Sequence, residues 1–265
     1  MRKRKVIISV APVSGGILVN SDELAMDILK SVKAGAAMCH LHSRTPKGEL
    51  TSDTTFIEEC FNKIKEKTDV VVQVSTGGVS QMNIVERCAP LEYHRAESAS
   101  LNGGTTNLGE LVYINSFEDI RFCAQKVYDH GIIPEIEVFD IGMINNIMST
   151  KQEVDYREPL IFNLVFGHKG GMQPTIESLT AFRSFVPEGA LWGVTHFGRD
   201  NWSFLAAAIA MGASIVRIGF EDSPYLSENK TAEYNYELVE RLAHLVQAMD
   251  FETATPKEAR KILGI

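Results

Sequence analysis

Three short stretches carry side chains that could do chemistry together. The first is Cys39-His40-Leu41-His42-Ser43-Arg44. It closes an apolar run that reads as a β-strand, and side chains alternate along a strand, so His40 and His42 share one face. Two neutral imidazoles at one strand end can share a divalent Zn, Fe, Ni or Cu ion; the plainer reading is a pair of hydrogen-bonded structural histidines. The second stretch, Arg217-Ile218-Gly219-Phe220-Glu221-Asp222, ends another apolar run. The same parity turns Arg217, Gly219 and Glu221 to one side, and Asp222 opens the loop. Glu221 could add an oxygen ligand, giving the His2Glu set with one open position found in catalytic zinc sites. Arg217 could clamp a carboxylate at two points, and Asp222 could serve as a general base. A structural arginine–carboxylate pair would use the same residues. In the third stretch, Glu135-Ile136-Glu137-Val138-Phe139-Asp140, Glu135 and Glu137 share a face, and buried carboxylates need partners or work.

Four further stretches are weaker. Ser75-Thr76-Gly77-Gly78 offers two hydroxyls and a backbone that an anion can approach closely. Ser100-Leu101-Asn102-Gly103-Gly104-Thr105-Thr106-Asn107 is small and polar, which makes Asn102, Gly103 and Thr105 candidate substrate contacts. Gly167-His168-Lys169-Gly170-Gly171 is a basic glycine loop or only a turn, and Arg199, after His196-Phe197-Gly198, could hold an anionic ligand or a rim salt bridge.

The elements that must position these residues alternate along the chain. Hydrophobic runs predict strands over 5–10, 37–43, 70–75, 98–101, 132–139, 160–166, 191–195 and 215–219. Helical periodicity falls between them, over 21–33, 56–67, 82–88, 117–129, 144–151, 175–185, 201–211 and 232–247. Ser21 is positioned to cap the first helix, with Gly35 behind it. Thr255-Pro256-Lys257-Glu258 combines an N-cap, a proline at the first turn and a capping-box glutamate, so it opens a short C-terminal helix. Alternating βα units imply a parallel sheet covered by helices. Eight of them in 265 residues predict an α/β protein of the (β/α)8 (TIM) barrel kind, with one domain over 1–265. A doubly wound open sheet would want a glycine fingerprint after its first strand, and Ala11-Pro12-Val13-Ser14-Gly15-Gly16 is not one. Every stretch singled out above falls at the C-terminal end of a predicted strand, the catalytic face of such barrels.

Composition narrows the setting. With 45% hydrophobic and 23% charged residues the chain is neither disordered nor fibrous. A net charge of -8 opposes nonspecific nucleic-acid binding; the basic start at 2–5 reads as the solvated beginning of a strand. Cys39, Cys60, Cys88 and Cys123 form no CxxC pair, as expected of reduced thiols in a cytoplasmic protein. No apolar run is long enough for a membrane span, and the first residues lack the apolar core of a signal peptide.

Taken together, Gly35-Ala36-Ala37-Met38-Cys39-His40-Leu41-His42-Ser43-Arg44, Ser75-Thr76-Gly77-Gly78, Pro134-Glu135-Ile136-Glu137-Val138-Phe139-Asp140 and the RxGxED run at 217–222 resemble the β-keto acid cleavage enzyme family, in order and over almost the whole chain. Its best-known member acts on 3-keto-5-aminohexanoate. The resemblance implies a zinc-bound (β/α)8 barrel, assembled as a tetramer. It implies an acyltransferase that condenses a β-keto acid with acetyl-CoA to give acetoacetate and a new acyl-CoA. It further implies that His40, His42 and Glu221 hold zinc and that Arg217 and Asp222 are catalytic. One of Ser75 and Thr76 would be the catalytic hydroxyl, and Glu137, or else Glu135, the buried glutamate behind it. The aminohexanoate enzyme carries a glutamate in its first βα loop that meets the substrate's amino group. Here that loop reads Ala11-Pro12-Val13-Ser14, so a neutral or anionic substrate tail is expected, with Arg95, His168 or Arg199 to meet an anionic one. Two other readings stay open at this point. An amidohydrolase-type metal hydrolase also begins with HxH, but residues 160–166 offer no further histidine. A non-catalytic ligand-binding barrel would show no turnover with any acyl-CoA.

Overall fold

Eight parallel strands close on themselves: β1 (Lys5–Val10), β2 (Met38–Leu41), β3 (Val71–Val74), β4 (Ser98–Asn102), β5 (Ile133–Val138), β6 (Ile161–Phe166), β7 (Leu191–His196) and β8 (Ile215–Ile218). Each pairs with the next, and β8 pairs back onto β1, with Ile7 opposite Ile215 and Val10 opposite Ile218. The computed structural model describes residues 3–17 and 20–265, so Arg2 of the basic start lies outside the described residues. The architecture is the (β/α)8 TIM barrel that the alternation implied. Its strands read as nearly continuous apolar runs because parallel strands are covered on both faces.

The outer layer is α1 (Ser21–Ala34), α2 (Thr55–Lys65), the short α3 (Ile84–Arg87), α4 (Phe117–Asp129), α5 (Ile141–Thr150), α6 (Ile176–Phe185), α7 (Ser203–Ala210) and α8 (Asn235–Ala248). None of the described helices is long and apolar enough to cross a membrane. The cap of α1 falls one residue earlier than expected. Asn20, not Ser21, accepts from the backbone N–H groups of Asp22 and Glu23, while the Ser21 hydroxyl donates to Glu59. Gly35 does end that helix, at a φ of 122° that favours glycine.

The barrel floor is apolar. Ile7, Met38, Val71, Ile161 and Ile215 point inward and pack against Ala254, Ala259 and Leu263 of the C-terminal segment. That segment contains α9 (Pro256–Leu263), which has the expected Thr255–Glu258 capping box. Each large side chain buried there contributes about 1.5–3 kcal/mol. Two residues further along each strand the inward positions turn polar, with His40 on β2, Gln73 on β3, Glu135 on β5, Asn163 on β6 and Arg217 on β8. The apolar plug seals the bottom, so these groups can be reached only from the C-terminal mouth.

Two small hairpins form at the mouth where the sequence shows only loop. Thr106–Leu108 pairs with Leu111–Tyr113 after β4, and Tyr225–Ser227 with Lys230–Thr231 after β8. Strands of two or three residues are too short to show a period in sequence.

Candidate active site at the barrel mouth

The β2 and β3 side chains form a chain of hydrogen bonds that fixes the first histidine. Gln73 lies opposite His40 in the strand register. Its Nε2 donates to Glu135 Oε2 at 2.7 Å and to Ser98 Oγ at 3.1 Å, which leaves Oε1 as an acceptor 2.7 Å from His40 Nδ1. The proton of His40 therefore sits on Nδ1, and Nε2 presents a lone pair. Burial reinforces this by pushing the His40 pKa down to about 3, so the ring is neutral. His42 Nδ1 lies 3.2 Å from the Gly77 carbonyl, which can only accept, so its Nε2 also points away from that bond.

Glu221 is carried to the same point by backbone. Its N–H donates to the Ala11 carbonyl at 3.1 Å, hooking the loop after β8 over the end of β1. Gly219 makes the hook feasible. At φ 148° a Cβ on it would stand 2.1 Å from the Ala11 oxygen. The outcome is a tight group. His40 Nε2 and His42 Nε2 are 3.3 Å apart, and Glu221 Oε1 is 3.0 Å from His42 Nε2 and 3.9 Å from His40 Nε2. Ligand atoms of all three residues lie within 4.8 Å of one another. Two imidazole lone pairs and a carboxylate oxygen converge, and one divalent cation would satisfy all three. Ligands about 2.1 Å from a tetrahedral zinc stand roughly 3.4 Å apart, close to the observed spacing.

Arg217 organises the acids beside this group. It grips Asp222 at two points, 2.7 and 3.1 Å, and reaches Glu137 and Glu221 at 3.1 Å each. One guanidinium thus faces three carboxylates. Burial pushes the Glu137 carboxyl up to about 7 against the pull of Arg217, and raises Asp222 above its ordinary range in the same way. Burial also opposes ionisation of Glu221, but His42, Arg217 and His40 together hold its carboxyl well below that range. Above the cluster opens a cavity of about 810 Å³ lined by His42, Arg217, Glu221, Glu137, Arg44 and Tyr113 among others.

The structure separates residues that the sequence left paired. Ser75 faces the barrel. Its Oγ accepts from the Gly77 N–H, sits 3.3 Å from Ser100 Oγ and borders a narrow recess beside His42. Thr76 is on the other face, its hydroxyl donating to the Ser100 carbonyl and accepting from Cys123 of α4. Glu137 touches Arg217, whereas Glu135 is buried deeper against Gln73. Asn102 stands opposite Glu137 in the register, with its amide Nδ2 buried and unpartnered. Gly103 is not on the cavity wall. A Cβ there would meet Val138 at 2.9 Å, and its carbonyl accepts from Asn146. Thr105 is exposed and serves the hairpin, accepting from the Asn115 N–H. Arg199 is also off the wall. It is 1% exposed, stacks 4.0 Å over Trp202 and donates to the Tyr225 carbonyl. Arg95 is exposed ahead of β4, at the opposite end of the barrel, while His168 does line the cavity. Gln73 was missed. The signal for Gln73 was a polar residue inside Val70-Val71-Val72-Gln73-Val74, at the parity of His40.

A closed parallel barrel with ligand-type histidines, a carboxylate and an arginine-held acid at its C-terminal mouth defines a TIM-barrel enzyme. More narrowly, the chain belongs to the β-keto acid cleavage enzyme family, whose model matches residues 16–265. It is 37% identical over 246 residues to a 3-keto-5-aminohexanoate cleavage enzyme of Fusobacterium nucleatum, covering 92% of this chain and 89% of the relative. It is 30% identical over 273 residues to a 3-oxoadipate:acetyl-CoA acetyltransferase of Cupriavidus necator, covering 98% of this chain and 94% of that one. Among solved structures, a ternary complex of ObcA with a C4-CoA adduct and oxalate superposes with a TM-score of 0.78 at 16% identity, over 94% of this chain and 68% of that chain, a likeness of fold.

Proposed function

We propose that this protein exchanges the acyl part of a β-keto acid with acetyl-CoA, releasing acetoacetate and a new acyl-CoA, with zinc held by His40, His42 and Glu221. The observation that carries the reading is the convergence of those three ligand atoms at the floor of the cavity, beside the Arg217–Asp222 pair. The donor set fits zinc, with two neutral imidazole nitrogens, one carboxylate oxygen and an open side facing the cavity. When bound, zinc would supply Lewis acidity toward the substrate's keto and carboxylate oxygens.

The chain's own residues account for the proton and the positioning. Asp222 takes a proton from C2 of the β-keto acid, and a carboxyl raised by burial suits that task better than an exposed one. Arg217 lines the cavity, grips Asp222 beside it and offers its one remaining N–H, on Nη1, to the substrate carboxylate. Ser75, on the barrel face, is the hydroxyl of the relay, with Glu137 behind Arg217 and Asn102 buried opposite Glu137 in the strand register. C2 then bonds to the acetyl carbonyl and CoA thiolate leaves. The original C2–C3 bond breaks, the departing acyl group joins the thiolate, and the proton returns to acetoacetate. Atoms balance with no other reactant.

The same reading makes the protein a cytoplasmic one-domain homotetramer with no nucleic-acid or membrane partner, in keeping with its charge of -8 and four free thiols. The test is purification without chelator, metal analysis, and acetoacetate formation from acetyl-CoA with a panel of β-keto acids. Stoichiometric zinc and turnover lost in His40→Ala support it. Absence of acetoacetate across the panel contradicts it.

A further inference from the structure

Among the charged residues on the cavity wall, Arg44 has no task in the cluster described above. It stands two residues after His42, is 8% exposed, and lines the same cavity as His42, Glu221 and Arg217. Its Nη1 donates to the Gly48 carbonyl at 2.9 Å, which fixes the guanidinium against the turn after β2. Its Nε is buried with no partner, and no carboxylate among the described residues lies within ion-pair distance. Glu221 is the acid whose charge it feels, yet that carboxylate is already paired with Arg217 and belongs to the group with His40 and His42. Of the other acids on the wall, Glu137 is paired with Arg217, while Glu49 and Glu86 are exposed and Glu86 is engaged in capping α3. A nearly buried arginine without a counter-ion is costly unless something supplies one.

The surroundings leave room for that counter-ion. Glycines 15, 16 and 48 line the wall next to the guanidinium, and a Cβ on Gly15 would already touch Nη1 at 3.9 Å. The loop from Ala11 to Ser14 brings no carboxylate. From these facts we infer that Arg44 is the binding site for an anionic group on the substrate's tail, so that the preferred substrate is a β-keto acid with a second carboxylate. The inference rests on the reading of the cavity floor given above, where the keto acid's own carboxylate sits at Arg217. The phosphates of acetyl-CoA are poor candidates for Arg44. The guanidinium is close enough to Glu221 to feel its charge, whereas the pantetheine arm keeps the phosphates far from the reacting thioester.

The experiment compares two substrates of equal length, 3-oxoadipate and 3-oxohexanoate, in the intact protein, Arg44→Gln and Arg44→Lys. The intact protein is expected to prefer 3-oxoadipate in kcat/KM. In Arg44→Gln that preference falls by about ten- to a hundredfold, the usual scale for a charged hydrogen-bonded pair, and Arg44→Lys retains part of it. Calorimetric titration of both acids without acetyl-CoA reports binding apart from turnover, and melting curves with zinc analysis confirm that the variants fold and keep the floor of the site. An unchanged preference in Arg44→Gln overturns the inference, and so does a defect confined to KM for acetyl-CoA. Tighter binding of 3-oxoadipate that is lost in Arg44→Gln, with no acetoacetate from either acid, keeps the anion site and refutes the proposed reaction. Turnover of both acids with equal preference does the reverse.

Discussion

Replacing Gln73 with leucine tests the buried relay beneath the metal-type site. The side chain makes three hydrogen bonds, to His40 Nδ1 and Glu135 Oε2 at 2.7 Å and to Ser98 Oγ at 3.1 Å. Leucine fills a similar volume and makes none of them. The Ser98 hydroxyl can rotate to another acceptor, but the His40 N–H and the Glu135 Oε2 stay buried and lose this partner. An unsatisfied buried polar group costs about 1–3 kcal/mol, so Gln73→Leu should lose about 2–6 kcal/mol of stability. It should also weaken zinc. With nothing to accept its Nδ1 proton, the His40 ring can shift that proton to Nε2 and lose the ligand lone pair. Removing such outer partners typically costs about 10- to 100-fold in metal affinity. Urea unfolding measures the first effect, and competition with a chromogenic chelator the second. A Gln73→Leu protein that unfolds with wild-type stability and holds zinc with wild-type affinity would refute the assignment of the His40 tautomer and the relay with it.

Three further outcomes follow from the same geometry. Glu137 has its pKa raised to about 7 from 4.5, so between those values the unfolded chain sheds a proton that the folded chain keeps, and stability falls as pH rises through that window. In Glu137→Gln, the loss of stability between pH 5 and pH 8, measured by urea unfolding, should be smaller than in the intact protein; an identical pH dependence would show the group to be unperturbed. Gly219→Ala should cost more than about 3 kcal/mol and weaken zinc together, because its Cβ meets the Ala11 carbonyl that hooks Glu221; a normal melting temperature would count against that hook. Ser75→Ala should lower kcat about a hundredfold with little change in stability, and Thr76→Ala should do the opposite, since one hydroxyl faces the barrel and the other ties β4 to α4; equal kinetic defects would contradict the division.

Much of this was legible because the barrel obeys a strict period. Alternation along β2 puts His40 and His42 on the inner face, and the apolar runs locate every strand within a residue or two, so the ends of eight strands could be brought to one mouth without coordinates. The convergence of His40, His42 and Glu221 came from that logic combined with the RxGxED run. Residues beyond the last strand position were less legible. Ser75 and Thr76 are adjacent, and only the path of the chain into Gly77 shows which hydroxyl faces inward. Arg199 follows a strand as Arg217 ends one, but the turn at Gly198, at φ 69°, sends it between the loops after β7 and β8, where Trp202 and the Tyr225 carbonyl hold it. Thr105 was misplaced because the hairpin after β4 has strands of three residues. Gln73 was legible and passed over, since its polarity in an apolar strand is interpretable only once His40 is known to stand opposite it.

The central claim, that C2 of a β-keto acid attacks acetyl-CoA at this site, is tested most directly by following carbon. Acetyl-CoA labelled with carbon-13 in both acetyl carbons would be supplied with an unlabelled β-keto acid, and the products read by NMR. The account predicts that the label appears at C3 and C4 of acetoacetate, that C1 and C2 are unlabelled, and that the new acyl-CoA carries none in its acyl group. Label released as acetate, or acetoacetate formed without it, would contradict the account.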